Sequence, residues 1–257
     1  MDKNEPLYLE RYELKYIITT DMIEPISKFV ENYCYLDKYS ERNSDYFYKI
    51  NNIYFDSKDF TFLRNRLVGL EDRFNMRIRS YGDCSSNFVF LELKRKQKDI
   101  IKKYREKINI NEWDPNLYLK NIQDNDSKNK KIFYYNALRY EIEAKVATEY
   151  RRKAYISEYD EYARVTFDTD LRAYPKSDNL LKLDFNKMNS YDFETNFEDD
   201  GNVVLELKCY TSYVPYWMID LIRQFDLKKR SFSKYMNAVK LSYFDDYFDY
   251  SRISVLH

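Results

Sequence analysis

Apolar and polar residues alternate along most of the chain with a period of two, which is the pattern of β-strands buried on one face. The alternation predicts strands at about 9–17, 49–55, 74–81, 88–96, 103–110, 141–156, 163–174 and 203–210. Apolar residues spaced three and four apart predict helices at about 21–33, 57–67, 113–119, 132–138, 215–225 and 232–244. Strands outnumber helices and no linker rich in Pro, Gly or Ser divides them. We therefore expect one mainly antiparallel α+β domain over residues 1–257.

Charged residues recur on one face of these predicted strands. The triplet Glu-Leu-Lys occurs at 13–15, 92–94 and 206–208. Residues two apart in a strand share a face, so each triplet places a carboxylate beside an ammonium group. Arg77 and Arg79 share a face in the same way. The alternation over 163–174 predicts that four more charged residues lie together: Arg164, Asp168, Asp170 and Arg172.

Two interpretations of these charged faces stay open. They are solvated outer surfaces whose ion pairs stabilise the fold by only about 0–1 kcal/mol each, or the sheet closes into a β-tunnel of about eight strands with the charged faces inward. In the second case helices would pack outside against the apolar faces, and a C-terminal helix would lie near the tunnel end. A lumen lined by Lys and Arg would bind a compact polyanion, because phosphate oxygens match the fork of an arginine.

The composition excludes or disfavours several other kinds of functional site. The 43 basic and 43 acidic residues cancel, so we expect no nucleic-acid partner, and three glycines disfavour a glycine-rich phosphate loop. The only histidine is His257, at the last position, which excludes histidine-based triads and metal sites. Cys34, Cys84 and Cys209 lie far apart and indicate packing thiols in a reducing, cytoplasmic compartment. No apolar run approaches the roughly 20 residues of a membrane span.

Several short motifs follow one another in a set order. They are Glu13-Leu-Lys15, Tyr54-Phe55-Asp56, Arg77-Ile-Arg79, Glu92-Leu-Lys94, Glu206-Leu-Lys208 and Ser233-Lys234-Tyr235. This order resembles the triphosphate tunnel metalloenzymes, or CYTH superfamily, and within it the vacuolar transporter chaperone (VTC) domain of the polyphosphate polymerase branch. Three longer segments, at 77–82, 150–155 and 164–170, are similar to segments of that branch. The resemblance extends from about Glu10 to Leu241.

The resemblance implies a set of functional residues. The basic side chains that would act in catalysis on phosphate groups are Arg77, Arg79, Lys94, Arg152, Arg164 and Lys234. Those that would bind substrate phosphates are Lys15, Lys103 and Lys208. The metal-binding carboxylate would be Glu206, which would hold Mn²⁺ or Mg²⁺, with Glu13 and Glu92 as helpers.

The chain departs from the family pattern at two positions. Arg11 stands at the first position of the hydrolase signature Glu-x-Glu-x-Lys, so one metal-binding carboxylate is missing. This departure favours the polymerase branch over a tripolyphosphatase. Ser231 stands at the first position of the late Lys-x-x-Lys pattern, and Arg230 is a candidate substitute for the missing cation.

Three assignments stay open on the residues alone. The alternation does not decide whether Arg152 or its neighbours at 151 and 153 face inward, and only the resemblance favours Arg152. Lys103 is ambiguous in the same way beside basic residues at 102 and 105. The basic segment 228–230 is a solvated turn, a place where a phosphate chain enters, or a contact with an anionic membrane.

The resemblance implies metal-dependent transfer of the γ-phosphoryl group of ATP to a growing polyphosphate chain, which is an ATP-polyphosphate phosphotransferase activity. The residue chemistry agrees in one respect, because phosphoryl transfer requires positioning and charge neutralisation more than covalent chemistry. The expected partners are ATP and polyphosphate, and no membrane-protein partner is identified. Two alternatives stay open: a hydrolase of tripolyphosphate or nucleoside triphosphate on the same fold, and a non-catalytic polyphosphate-binding module.

Overall fold

The computed structural model describes residues 11–82, 87–97, 100–117, 122–160, 162–192, 201–210 and 213–243. Its strands in these residues are β1 (Arg11–Ile18), β2 (Cys34–Leu36), β3 (Tyr48–Asp56), β4 (Asp72–Tyr81), β5 (Phe88–Gln97), β6 (Ile100–Asn109), β7 (Glu143–Ser157), β8 (Arg164–Pro175), β9 (Asn189–Ser190) and β10 (Val203–Tyr210). Its helices are α1 (Ile23–Val30), α2 (Thr61–Leu67), α3 (Lys128–Arg139), α4 (Tyr216–Gln224) and α5 (Lys234–Tyr243). The helix expected at 113–119 is not formed over its described part, residues 113–117.

The strands form one mostly antiparallel sheet in the order β1-β10-β8-β7-β3-β4-β5-β6, with β2 beside β7 and β9 beside β8. Within the described ranges, β1 and β6 form no ladder with each other. A bridge joins Tyr16 to Lys229 on the outer side of β1, where the N–H of Arg230 also donates to the carbonyl of Lys15 over 2.8 Å. The sheet is therefore not closed into a barrel, and the predicted closed β-tunnel is not confirmed.

The chain forms two compact units, each assembled from discontinuous segments. Unit 1 contains the described residues of 1–49, 150–171 and 192–232, and unit 2 those of 50–149, 172–191 and 233–257. Strands β7 and β8 run from one unit into the other. The single domain over residues 1–257 stays a prediction.

In unit 1 the apolar face of the strands packs against α1 and α4. Leu205 and Leu207 of β10 and Phe167 of β8 are fully buried, and Ile26 of α1 and Leu221 of α4 belong to the same cluster. Burying a side chain of this size stabilises a fold by about 1.5–3 kcal/mol. The helices therefore cover the apolar face, as the sequence predicts.

Two of the three cysteines also lie in this core. Cys34 and Cys209 are buried free thiols, which agrees with their predicted packing role. Burial raises the pKa of Cys34 to about 12, with a smaller contribution from the charge of Asp160. Cys84 and His257 lie outside the described residues.

Unit 2 repeats the design with α2 and α3. Met76 of β4 and Leu91 and Leu93 of β5 are buried on one side of the sheet, together with Phe62 of α2 and Phe133 of α3. The residues between them on the strands carry the charges. Because one face of each strand is apolar and covered, most charged side chains of β4 and β5 share the other face; Asp72 and Arg95 are exceptions and pair with each other.

The predicted grouping of charges on β8 is wrong at Asp170. This residue has a φ of 53°, in the left-handed region, which interrupts the extended conformation. Beyond the break the N–H of Leu171 donates to the carboxylate of Asp192. The side chain of Asp170 contacts Arg151, at 3.6 Å, whereas Asp168 contacts Arg152. A period-two pattern cannot reveal such a break, because it assumes a regular strand.

Candidate functional site

The first group of predicted residues lies on one face of β1, β10 and β8 in unit 1. The antiparallel register places Lys15 opposite Glu206, Glu13 opposite Lys208, and Lys208 opposite Arg164. We call this surface the unit-1 charged face, and its members are Glu13, Lys15, Arg152, Arg164, Thr166, Asp168, Glu206 and Lys208. Opposite charges face each other between β1 and β10, which is favourable for a sheet, whereas Lys208 and Arg164 are like charges that face each other between β10 and β8.

Glu206 lies between two ammonium groups on this face. Its Oε2 is 2.9 Å from Nζ of Lys208, and its Oε1 is 3.8 Å from Nζ of Lys15. Nζ of Lys15 also donates to the backbone carbonyl of Phe232 over 2.9 Å. The side chain of Glu206 is only 8% exposed. The structure therefore brings together three of the predicted residues, Lys15, Glu206 and Lys208.

The hydroxyl of Thr166 lies opposite Glu206 in the register and is buried. Its Oγ1 has no hydrogen-bond partner among the described residues. Buried hydroxyl groups are normally hydrogen-bonded, so this oxygen can still form a hydrogen bond with a water molecule or a ligand atom. Sequence alternation could have suggested Thr166, which is two residues from Arg164, but nothing in the sequence marks its hydroxyl as unsatisfied.

The donor set beside Glu206 is suited to a hard divalent cation that substrate oxygens also bind. No group of three or more His, Cys, Asp or Glu residues is placed to hold a metal ion in the described part of the chain. Mg²⁺ sites often use only one or two carboxylates and complete their octahedron with substrate phosphates and water. Glu206, with Glu13 on the same face, fits that kind of site provided that the ion displaces the ammonium group of Lys208 or Lys15 from the Glu206 oxygens.

Arg152 forms the tightest ion pair of the unit-1 charged face. Its Nε and Nη2 atoms donate to the two oxygens of Asp168 over 2.6 and 2.8 Å. Burial lowers the pKa of Arg152, but the Asp168 carboxylate raises it well above its usual value. The neighbours point elsewhere: Arg151 pairs with Asp45, and Lys153 donates to Ser27 of α1. Arg152 therefore faces away from α1, which answers the question that alternation left open.

Arg164 is exposed on the same face. Its guanidinium carbon lies 5.6 Å from the centre of the Tyr162 ring. It forms no ion pair within the described ranges. An exposed arginine with this freedom can bind an anion without breaking an existing pair.

The second group of predicted residues lies on one face of β3–β6 in unit 2. The register places Arg77 opposite Tyr54 and Glu92, Arg79 opposite Asn52, and Lys94 opposite Lys103. We call this surface the unit-2 charged face, and its members are Asn52, Tyr54, Arg73, Arg77, Arg79, Glu92, Lys94, Lys96, Lys103 and Arg105.

Glu92 is the centre of this face, and four cations surround it. Its carboxylate oxygens lie 2.6 Å from Arg77, 3.8 Å from Arg79, 3.0 Å from Lys103 and 3.3 Å from Arg105. Burial tends to raise the pKa of Glu92, but the charges of Arg79, Arg77 and Lys103 hold it far below its usual value. A divalent cation would be repelled by these four groups. The predicted helper role of Glu92 in metal binding therefore does not fit its surroundings.

Hydrogen bonds fix the two arginines of β4. Nη1 of Arg77 donates to the hydroxyl of Tyr54 over 3.0 Å, and Nε of Arg79 donates to Oδ1 of Asn52 over 2.9 Å. Asn52 in turn donates to the hydroxyl of Thr148 over 3.1 Å. These contacts hold the guanidinium groups in place before any ligand arrives, which reduces the entropy lost on binding.

Lys103 belongs to the unit-2 charged face, and so does Arg105. Desolvation lowers the pKa of Lys103 to about 7; the charges of Arg79 and Arg77 lower it as well, against an opposing effect of Glu92. Arg105 was considered in the sequence analysis only as a basic neighbour of Lys103 and was not assigned to the site. It is two residues from Lys103, so the alternation alone could have identified it.

Lys234 is the first residue of α5, whose first turn contacts β3. The ring of Tyr235 lies 5.3 Å from the ring of Tyr54, a member of the unit-2 charged face. Lys234 itself is partly buried. The predicted C-terminal helix is therefore present and lies next to one of the charged faces.

The family of the chain follows from comparison of its sequence with known protein families. Residues 10–243 match the model of the VTC domain, which covers most of the chain. The chain therefore belongs to the VTC domain family. It has no significant match among curated proteins. None of the described helices is long and apolar enough to cross a bilayer.

Two solved structures are similar to this chain at low sequence identity. One is a "putative adenylate cyclase" from Bacillus halodurans, with a TM-score of 0.47 and 10% identity over 88% of this chain and 96% of that one. The other is the PH1819 protein from Pyrococcus horikoshii, with a TM-score of 0.43 and 14% identity over 86% of this chain and 94% of that one. The family assignment rests on the VTC match and not on these likenesses.

Proposed function

We propose that this chain is a metal-dependent polyphosphate polymerase, which transfers the γ-phosphoryl group of ATP to the end of a growing polyphosphate chain. The observation that carries the proposal is the cluster around Glu92, in a member of the VTC domain family. Four cations share one buried carboxylate there, so the cluster keeps an excess of positive charge. Such an excess is expected of a surface that binds a polyanion.

The proposed roles follow from the positions of the side chains. Arg77, Arg79 and Lys94 would hold the phosphates of ATP, because a planar guanidinium binds phosphate oxygens with two parallel hydrogen bonds. Lys103 would add a further positive charge beside them. Glu92 would keep the cations in position without touching the substrate. Its removal is therefore expected to change binding mainly through the geometry of its neighbours.

On the unit-1 charged face, Glu206 would hold Mn²⁺ or Mg²⁺ with help from Glu13. The ion would supply positive charge to the phosphate oxygens of the substrate. Lys15 and Lys208 would bind phosphate oxygens and orient the carboxylate of Glu206. Arg152, Arg164 and Lys234 would neutralise charge on the transferred group or on the product chain.

The absence of histidine from the charged faces does not hinder this reaction. The acceptor would be the terminal phosphate of a chain, which is already largely ionised near neutral pH. It therefore needs little help from a general base. The arginines and lysines of the charged faces can stabilise the charge of the transition state. A hydrolase would gain more from a carboxylate that orients water. A cytoplasmic location stays a prediction.

The test is incubation of the purified protein with ATP and Mn²⁺, followed by electrophoretic separation of long-chain polyphosphate from free phosphate. Chain growth is expected for the wild type, and Glu206→Gln should lower the rate about 10²-fold or more. The matched control is Glu24→Gln, because Glu24 is an exposed carboxylate of α1 paired with Lys28. Release of phosphate without chain growth would replace the proposal with a hydrolase, and binding without turnover would replace it with a binding module.

A further inference from the structure

The unit-2 charged face becomes aromatic at the beginning of β5, before Glu92. Phe90 lies two residues before Glu92, so the two side chains point to the same side of the sheet. The register places Lys107 opposite Phe90 and Arg105 opposite Glu92. Five side chains thus lie together here, and we call them the aromatic end: Tyr81 of β4, Phe88 and Phe90 of β5, and Arg105 and Lys107 of β6.

Both cations of the aromatic end lie on aromatic rings. The guanidinium carbon of Arg105 is 3.8 Å from the centre of the Phe90 ring, and Nζ of Lys107 is 3.9 Å from the centre of the Phe88 ring. These separations are van der Waals contacts. The two cations differ in shape, because an ammonium group is a compact point charge, whereas a guanidinium is planar and can stack on a ring. Arg105 therefore forms a stack with Phe90.

Three further contacts hold this stack in place. Nε of Arg105 lies 3.3 Å from Oε1 of Glu92, and its Nη2 donates to the hydroxyl of Tyr81 over 2.9 Å. The rings of Tyr81 and Phe90 meet at an angle of 83°, with their centres 5.6 Å apart. The side chain of Arg105 is still 38% exposed. Because Phe90 covers one face of the guanidinium and two of its nitrogens are engaged, the exposed area includes the opposite face.

The face and the edge of a guanidinium bind different ligands. Phosphate oxygens bind the N–H groups along the edge, in two parallel hydrogen bonds. In Arg105 two of the three nitrogens already contact Glu92 and Tyr81, which leaves less of the edge for a phosphate. The exposed face can stack on a planar aromatic ligand, and nucleic-acid bases bind to proteins on aromatic rings and on arginine planes. The stack therefore favours a base over a phosphate group.

The distance from this stack to the neighbouring cations agrees with the length of a nucleotide. The carboxylate of Glu92 that contacts Arg105 also contacts Arg77, at 2.6 Å. Along β5, Glu92 and Lys94 follow Phe90 by two and four residues, which are about 7 and 13 Å in an extended strand. In a nucleoside triphosphate a single ribose joins the base to the phosphates. A base stacked on Arg105 would therefore place the phosphates close to Arg77 and Lys94.

We propose that Arg105, held on Phe90 by Glu92 and Tyr81, is a stacking platform for the base of a nucleoside triphosphate. The inference rests on the proposed function, because the phosphates of the nucleotide would contact the cations assigned to ATP there. It goes beyond that function because it identifies the residues that distinguish a nucleotide from a phosphate chain. The platform would favour a ligand with a base over one that has the same phosphates and no base.

The experiment compares ATP with ribose 5-triphosphate, which has the same phosphates and sugar but no base, by isothermal titration calorimetry without metal. The wild type should bind ATP about fivefold or more tightly, the smallest effect expected of one stacked base. Arg105→Lys keeps the charge beside Glu92 and removes the planar group, and Phe90→Leu removes the ring beneath it. Each should reduce the preference for ATP to about twofold or less, and should change the affinity for ribose 5-triphosphate by less than about twofold. Arg95→Lys, at an arginine that pairs with Asp72 on the opposite face of β5, is the matched control and should keep the full preference.

The outcomes separate the platform from the polymerase. A wild type that binds the two ligands equally overturns the platform, and so does an Arg105→Lys protein that keeps the full preference for ATP. Equal losses of affinity for both ligands in Arg105→Lys also overturn it, because they would assign Arg105 to the phosphates. If Phe90→Leu does not fold, Arg105→Lys alone decides. If the preference depends on Arg105 but the wild type makes no polyphosphate from ATP, the polymerase proposal falls and the platform stands.

Discussion

The hydroxyl of Tyr235 donates a hydrogen bond of 2.6 Å to Oδ2 of Asp56. This bond joins the first turn of α5 to the end of β3, and both side chains are buried. Three backbone N–H groups, of residues 57, 62 and 63, complete the surroundings of the carboxylate. Two motifs that are far apart in the sequence, at 54–56 and 233–235, therefore form one contact, and Lys234 takes its position from it.

Removing this hydrogen bond should destabilise the protein. Burial and the neighbouring Asp56 raise the pKa of Tyr235 well above its usual value, so the phenol remains a donor at any ordinary pH. Tyr235→Phe leaves a buried carboxylate with one donor fewer, and we expect a loss of about 1.5–3 kcal/mol in the free energy of unfolding. Urea denaturation measures it. Tyr216→Phe, at a side chain that is 78% exposed, should change stability by less than about 0.5 kcal/mol.

The charge of Glu92 should stabilise the fold above acidic pH. Its folded pKa is depressed, so its contribution is present above the unfolded value of about 4.3 and is lost as the pH falls below it. Glu92→Gln leaves buried cations without a counter-charge, and at pH 7 we expect a cost of about 3–5 kcal/mol. The difference from the wild type should shrink below pH 4, as denaturant titrations at several pH values can measure.

Glu92→Gln should not change metal binding, in contrast to Glu206→Gln. A loss of Mn²⁺ affinity in Glu92→Gln would contradict the role given to Glu92.

Binding of triphosphate should depend on the ionisation of Lys103. The pKa of Lys103 is lowered to about 7, so this side chain loses its charge as the pH rises through neutrality. An anion favours the charged form, and binding above pH 7 should therefore take up a proton and weaken with pH. Lys103→Arg stays charged throughout and should remove this part of the pH dependence. Calorimetric titration at pH 6.5 and 8.5 measures the triphosphate affinity of the wild type and of Lys103→Arg. The ionisation of triphosphate itself affects both proteins equally. An equal change of affinity with pH in the two proteins would refute the assignment.

The unsatisfied hydroxyl of Thr166 allows stability and activity to be separated. Thr166→Val removes a buried hydroxyl that has no described partner, so the unfolding temperature should stay the same or rise. If this oxygen contacts the metal or a substrate phosphate, turnover with ATP and Mn²⁺ should nevertheless fall. Thr148→Val is the matched control, because the Thr148 hydroxyl accepts a hydrogen bond from Asn52, and its loss should cost about 1 kcal/mol. A Thr166→Val protein that is less stable and fully active would contradict the inference.

The alternation of the sequence by itself determined most of the secondary structure and which side chains share a face. The strand predicted at 203–210 is β10, and the charged triplets at 13–15, 92–94 and 206–208 each lie on the face opposite a covered apolar core. These features depend on the local geometry of an extended chain, in which every second residue points the same way. Composition also determined which chemistries are absent from the described strands, because a residue type that is missing cannot be supplied by folding.

Only the tertiary structure decided which charges meet. Arg152 rather than Arg151 pairs with Asp168, and four cations gather on Glu92, because strand register and hairpin pairing bring distant residues within hydrogen-bond distance. The left-handed conformation of Asp170 likewise has no signature in a period of two. A sequence pattern describes one strand at a time, whereas the charge of a site is the sum over strands and helices that the fold assembles.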